Sequence, residues 1–254
     1  MPRSQRYDSI GVGYTSFRQP DPRISTRIWA AVGDATRIVN VGAGTGSYEQ
    51  PDRLLVAVEP SAVMVRQRNG THPVVRAAAE DLPFPDNSFD VALALMTVHH
   101  WNDVRRGLAE LRRVAPRQVV FTYDPDVHRA LWVFDEYVPT ALVNDGQAPV
   151  DLVTEMLAAD HVEIITTPAD CTDGFGSAYW RRPERYLDPS VRANISAFSF
   201  VDQHVVDEGM AQLERDLADG TWHRRHADLL GKETIDGGLR LVVAGSPSTG
   251  DGPR

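Results

Sequence analysis

The sequence predicts an α/β fold: a doubly wound, mainly parallel sheet of seven strands, with a helical lid inserted before the last strand. Three observations carry this. Short, nearly continuous apolar runs recur along the chain, as expected of strands buried on both faces. Helical segments alternate with the first of them, the pattern of a sheet covered by helices. A long aromatic-rich stretch then separates the last two runs, too long for a simple hairpin.

Residues 1–22 have no periodicity but hold Tyr7, Tyr14, Phe17 and Arg18, and read as an arm. Residues 22–32 predict a short helix with proline in its first turn. Strands are predicted at 36–41 (TRIVNV), 54–58 (LLVAV), 73–76 (PVVR), 90–95 (DVALAL) and 118–123 (QVVFTY). Between the last two, NDVRRGLAELRRVA at 102–115 predicts a helix. Asn102 is its expected cap, and Val104, Leu108, Leu111 and Val114 repeat at helical spacing. After Asp124, helices are predicted at 127–138 and 150–159, and a strand at 162–167 (VEIITT). In the lid, Val206, Met210, Leu213 and Leu217 make one apolar helix face, and LRLVVA at 239–244 is the closing strand. The predicted organisation is an arm (1–22), a core (23–168 and 237–246, with a helical insertion within 124–160), a lid (169–236) and a tail (247–254).

Bulk composition narrows the function. The 254 residues are 42% hydrophobic and 24% charged, ordinary for one globular domain. A net charge of -9 argues against nucleic acid as partner, since that footprint needs clustered lysine and arginine. The basic pairs, such as Arg105-Arg106 and Arg224-Arg225, sit among acids. Cys171 is the single cysteine, so no internal disulfide forms and a cytoplasmic location is expected. The apolar run VALALMTV at 91–98 is too short to span a bilayer. Asp124 and Asp173 are loop acids, candidates to orient an acceptor hydroxyl or bind a metal, but no second carboxylate stands at metal-binding spacing; they are read as ordinary loop acids and no metal is expected. The expected partner is a small-molecule substrate, with neither nucleic acid nor membrane, for a monomer or homodimer.

The most informative stretch is IVNVGAGTGSYEQPDRLLVAVEPS, residues 38–61. A strand running into a glycine-rich turn lets a ligand approach the backbone. A dinucleotide fingerprint needs G-x-G-x-x-G, but Gly42, Gly44 and Gly46 are alternate and Ser47 holds the third fingerprint position. No Gly-Lys-Ser/Thr follows, which excludes a Walker-type phosphate loop. Glu59 ends the second strand, where a carboxylate accepts both hydroxyls of a ribose. That acid suits NAD and S-adenosylmethionine alike.

The next stretch, VVRAAAEDLPFPDNSFDVALALMTVHHWND at 74–103, resembles the adenine-binding loop, fourth strand and following turn of class I methyltransferases. Across 36–123 the chain is similar to the UbiE-like group of S-adenosylmethionine-dependent, Rossmann-like methyltransferases that act mostly on small molecules. The resemblance implies that Gly42, Ala43 and Gly44 hold the methionine part and that Glu59 takes the ribose. Pro60, Ser61 and Met64 would lie beside the adenine, with Ala79 and Glu80 on its other face. Thr97 and His100 would open onto the sulfonium. Two features depart from the pattern. Pro51 cuts the usual first helix to about one turn, and Ala78 stands where many relatives place an aspartate.

The arm resembles N-terminal segments that close over this cofactor, with Arg18 on the methionine carboxylate and Tyr14 shielding the sulfonium; otherwise it packs on the sheet edge. His99 and His100 are candidate general bases, His100 preferred because His100-Trp101 matches the family pattern. The other reading packs one under the cofactor and uses the other as a cap. Trp132, Tyr179 and Trp180 are candidate acceptor contacts, or else the core of the lid. Cys171 is read as a buried thiol ahead of a nucleophile. The implied reaction is O-, N- or C-methylation of a small organic acceptor by in-line displacement. The N/D-P-P-Y/F motif of nucleic-acid amine methylation is missing, and TVHHW stands in its place. The alternatives are a catalytically silent cofactor-binding scaffold and a cyclase or isomerase that uses the cofactor without methylating.

Overall fold

A computed structural model describes residues 18–141 and 148–245. Tyr14 and the 247–254 tail therefore lie outside the described residues.

The first helix, α1 (Pro22–Val32), starts where Asp21 accepts the Arg23 N–H at 3.0 Å and proline fills the first turn. It buries Ile24, Ile28, Trp29 and Val32 against the sheet. Strands β1 (Ile38–Val41), β2 (Leu55–Val58), β3 (Val74–Val75), β4 (Val91–Leu95) and β5 (Arg117–Tyr123) all pair in parallel. β6 (His161–Ile164) and the last strand of the sheet, β9 (Leu239–Ala244), complete it antiparallel, in the order β3-β2-β1-β4-β5-β9-β6. Alternate residues of one strand enter two different cores. Ile38, Val91 and Leu93 belong to one, and Val39, Ala92 and Ala94 to the other, which is why the strands read as unbroken apolar runs. α3 (Val104–Val114) and α5 (Val150–Leu157) cover the second face.

Strand order reverses between β1 and β4, and a crevice opens there at the carboxyl ends of the strands, the position where ligands bind in open α/β sheets.

Several local expectations need correction. No helix follows the glycine turn; residues 43–54 form turns, and the next helix is the five-residue α2 (Ala62–Arg66) after β2. α3 is capped by Asp103, whose carboxylate accepts the Arg106 N–H at 3.0 Å, rather than by Asn102. The expected helix at 127–138 is split into α4 (Pro125–Arg129) and a π-type turn over Val133–Tyr137. The run at 162–167 divides between β6 and a short β7 (Thr167–Pro168), which pairs with β8 (Thr234–Ile235).

The lid contains α6 (Pro189–Arg192), α7 (Gln203–Ala218), α8 (Thr221–Arg225) and α9 (Ala227–Leu230). α7 lies hard against the π-type turn, since a Cβ on Gly209 would fall 2.0 Å from the Tyr137 carbonyl oxygen. The Tyr137 hydroxyl donates to Asp216 of α7 at 2.8 Å. Tyr186, Trp222 and Leu213 of the lid belong to the same apolar core as Ile28 and Phe121, so lid and sheet are packed as one body. Among the described residues, no helix is long and apolar enough to cross a membrane, and no cluster of His, Cys, Asp and Glu could hold a metal ion.

Candidate active site

The glycine turn leaves β1 with Gly42, Gly44 and Gly46 at φ of 70°, 53° and 84°, the left-handed region that favours glycine. The Gly42 and Ala43 N–H groups both donate to the Val58 carbonyl, at 2.9 and 3.0 Å, which ties the turn to the end of β2. One residue on, Glu59 is 7% exposed and clamped by two backbone donors: Gly44 N–H at 2.8 Å and Ser61 N–H at 2.8 Å. These two bonds, one to each carboxylate oxygen, fix the direction of the side chain at the mouth of the turn.

The crevice is a cleft of about 990 Å³ including its open mouth. It is lined by Arg18, Gly42, Ala43, Gly44 and Glu59, by Pro60, Met64, Ala79 and Glu80, and by Thr97 and His100 from the turn after β4. Ser61 is not among the lining residues. It acts one step back, its hydroxyl accepting the Met64 N–H at 3.3 Å to cap α2. The Glu80 carboxylate accepts the N–H groups of Asn102 and Asp103 at 2.6 and 3.0 Å, which fastens the loop after β3 to the turn after β4.

Met96, at φ 54°, reverses the chain at the end of β4 in a conformation rarely adopted by a side chain of its size. Its N–H is anchored on the Phe121 carbonyl at 2.7 Å. The reversal brings Thr97 under Gly42, where a Cβ would sit 2.0 Å from the threonine hydroxyl oxygen. It also turns His100 to the cleft while His99 stays buried behind it, with ring centroids 3.8 Å apart. His99 packs edge-on against Tyr123 at 4.9 Å.

Asn40, Tyr48, Met96 and Trp101 also line the cleft, and the sequence reading gave none of them a role there. Asn40 ends in a buried Oδ1 that has no hydrogen-bond partner among the described residues. Its Nδ2 donates to Glu49 at 2.9 Å, so the carboxylate fixes which way the amide points and leaves an acceptor for a ligand. Trp101 carries a buried, unpartnered indole N–H in the same wall. It lies flat on α3 only because residue 107 is glycine; a Cβ there would come within 2.4 Å of the ring. One orphaned acceptor and one orphaned donor, with open space around Gly44, fit a polar, elongated ligand with an apolar ring.

The expected acceptor contacts are placed elsewhere. Trp132, Tyr179 and Trp180 do not line the cleft; they are 6%, 6% and 1% exposed and form the core beneath the lid. The Trp132 indole donates to the Trp180 carbonyl at 2.9 Å, and its ring meets Trp222 and Tyr186 edge-on at 5.2 and 5.4 Å. The Trp180 indole donates to the Thr167 carbonyl at 3.2 Å. Both indoles, Trp132 and Trp180, have their polar edges satisfied by backbone, the arrangement of a core residue. Cys171 is buried too, and burial pushes its thiol up to about 12, so it stays protonated and unreactive.

His128 is a buried histidine behind the same wall, between Tyr123 and Phe134, with Nδ1 3.1 Å from the Gly237 carbonyl. Burial lowers its pKa from 6.5 to about 4, against the raising effect of that hydrogen bond. The unfolded chain therefore takes up a proton first as pH falls. Stability should drop by about 2 kcal/mol between pH 6.5 and roughly pH 5 through this group alone. Denaturant melts at the two pH values check this; His128→Phe should flatten the slope, and an unchanged slope would exclude His128 as its source.

Comparison with known proteins agrees with this geometry. A family model described as "Methyltransferase domain" matches residues 39–121. A solved structure of a putative methyltransferase from an antibiotic biosynthesis pathway of Anabaena variabilis is 30% identical, with a TM-score of 0.83. That likeness covers 91% of this chain and 100% of the Anabaena chain. An uncharacterized methyltransferase of Bacillus subtilis is 32% identical over 90 residues, 31% of this chain and 36% of the length of that relative. The [4+2]-cyclase SpnF shares the fold, at 14% identity and a TM-score of 0.57 over 97% of this chain and 96% of its own. Because the likeness to the Anabaena protein covers 91% of this chain and not the glycine turn alone, the chain belongs to the class I, S-adenosyl-L-methionine-dependent methyltransferases.

Proposed function

We propose that the protein transfers a methyl group from S-adenosyl-L-methionine to a small organic acceptor held beside His100. The observation that carries this reading is the convergence, in one cleft, of the glycine turn, the clamped Glu59 carboxylate and the His100 ring. Gly42, Ala43 and Gly44 would hold the methionine part, Glu59 the ribose hydroxyls, and Pro60, Met64 and Ala79 the adenine. Arg18, in the same wall, suits the methionine carboxylate. When bound, the cofactor supplies an activated methyl carbon on sulfur. The protein's own task is alignment and exclusion of water, which can contribute several kcal/mol to the rate.

His100 is the proposed general base, its ring nitrogen taking a proton from an acceptor hydroxyl or amine near neutral pH. Support comes from its place in the cleft wall and from the His99 ring packed against it at a tilt. A small acceptor is favoured over nucleic acid by the net charge of -9 and by TVHHW after β4. The single, protonated thiol suits the reducing cytoplasm as the proposed location.

Calorimetric titration with S-adenosylhomocysteine should show one site. Incubation with methyl-labelled cofactor and a small-molecule extract should label a soluble product. Uptake without labelled product would favour a silent binder or a non-methylating cyclase, since the fold alone does not fix the chemistry. His100→Ala should lower turnover by about a hundred-fold or more with cofactor affinity retained. Equal turnover in that variant would end the base assignment.

A further inference from the structure

Asp173 is a carboxylate with no solvent exposure, and it belongs to the lid rather than the sheet. It accepts Arg18 Nε at 2.6 Å and Nη2 at 3.4 Å, and the Tyr48 hydroxyl at 2.8 Å. The three residues come from the segment before α1, the end of the glycine turn and the lid. Arg18 and Asp173 also pair through their backbones as an isolated antiparallel bridge. The joint is fastened beside this by the Thr172 N–H on Asp21 at 3.2 Å and the Thr172 hydroxyl on the Pro20 carbonyl at 3.4 Å.

Arg18 and Tyr48 line the cleft, whereas Asp173 stands behind them. A buried charged pair is held only where its geometry is fixed, and removing one member strands the other. The Tyr48 ring is set edge-on against Phe121 at 5.9 Å, so its hydroxyl has one direction to point. Burial, and next the Asp173 charge, push that hydroxyl well above its ordinary range, which keeps it a donor.

We propose that Asp173 is a positioning residue that holds the Arg18 guanidinium and the Tyr48 hydroxyl in the wall facing the amino-acid end of the cofactor. This rests on the cofactor reading given above. The consequence is that the segment before α1, the lid and the glycine turn are joined at the cleft wall, where the cofactor carboxylate would meet a guanidinium whose rotamer freedom is restricted. The role is selective: it concerns the amino-acid moiety and not the adenosine, whose proposed contacts are Pro60, Met64 and Ala79.

The test compares two ligands by calorimetry on the full chain: S-adenosylhomocysteine, and methylthioadenosine, which lacks the amino-acid group. Asp173→Asn should weaken S-adenosylhomocysteine by about ten-fold or more and leave methylthioadenosine affinity unchanged. Tyr48→Phe, which removes one hydroxyl and keeps the ring, should weaken S-adenosylhomocysteine about three-fold with the same selectivity. If Asp173→Asn does not fold, Tyr48→Phe decides by the same comparison. Equal losses for both ligands would mean a merely structural acid and overturn the assignment, as would unchanged S-adenosylhomocysteine affinity. Failure of the unmodified protein to bind either ligand would instead overturn the cofactor reading, and this proposal with it.

Discussion

Replacing Glu59 by alanine should weaken S-adenosylhomocysteine binding by about a hundred-fold or more. The carboxylate has two jobs that fail together. It holds the glycine turn in place by accepting the Gly44 N–H at 2.8 Å, and it holds the approach to α2 by accepting the Ser61 N–H at 2.8 Å. Under the proposed reading the same group takes the ribose hydroxyls, in charge-assisted bonds worth roughly 1.5–3 kcal/mol each. Losing two of them amounts to about 3 kcal/mol or more, already a hundred-fold in affinity. Stranding a buried N–H costs a further 1–3 kcal/mol or so, and this part should appear as a lower melting temperature. Glu59→Gln separates the two jobs. Its amide keeps the shape but offers one acceptor oxygen, so one of the two backbone donors must face an NH₂ group. Glutamine should therefore lie between wild type and alanine in both readouts. Alanine binding within three-fold of wild type would mean that no ribose sits on Glu59.

The sheet was legible because its strands are buried on both faces, so their apolar runs are unbroken and easily told from the half-exposed pattern. Strand order at the switch point then follows for a chain of this class, and with it the place of the cleft. Ends of elements were less legible for a specific reason. Asn102 and Asp103 are both good caps, and only the fold shows that the Asp103 carboxylate takes the Arg106 N–H, in a turn fastened to Glu80 from a distant loop. The lid aromatics failed in a different way. A pocket and a core need the same residues, and only the partner of each polar edge separates them, as when Trp132 donates to the Trp180 carbonyl. Asp173 had no local signal at all, lying 155 residues from Arg18 and 125 from Tyr48 in sequence. Trp101 did leave one. Gly107 interrupts an otherwise strong helix, and a glycine kept inside a helix points to something lying close against it.

The glycine turn gives the second large effect, and the first two glycines should fail in opposite ways. At Gly42 an alanine Cβ would fall 2.0 Å from the Thr97 hydroxyl oxygen and 2.9 Å from Thr97 Cβ and Cγ2. The residue also sits at φ 70°, which costs a side chain about 1–2 kcal/mol. Relieving the overlap requires Thr97 or the turn to move, at a further 1–3 kcal/mol or so. Gly42→Ala should thus destabilise the protein by about 3–4 kcal/mol, lower the melting temperature by roughly 10 °C and abolish cofactor binding. Adding Thr97→Ala should recover only part of this, because the Thr97 Cβ would still be too close and the dihedral cost remains. Gly44 is different: an added Cβ meets nothing within 4 Å, and only the φ of 53° opposes it. Gly44→Ala should cost about 1 kcal/mol of stability yet place a methyl group in the wall that the methionine part would occupy. Its melting temperature should stay close to wild type while S-adenosylhomocysteine affinity falls. Thermal melts paired with calorimetry distinguish the two positions. A Gly42→Ala variant that melts like wild type would remove Thr97 as the reason for that glycine, and a Gly44→Ala variant that binds like wild type would move the cofactor off the turn.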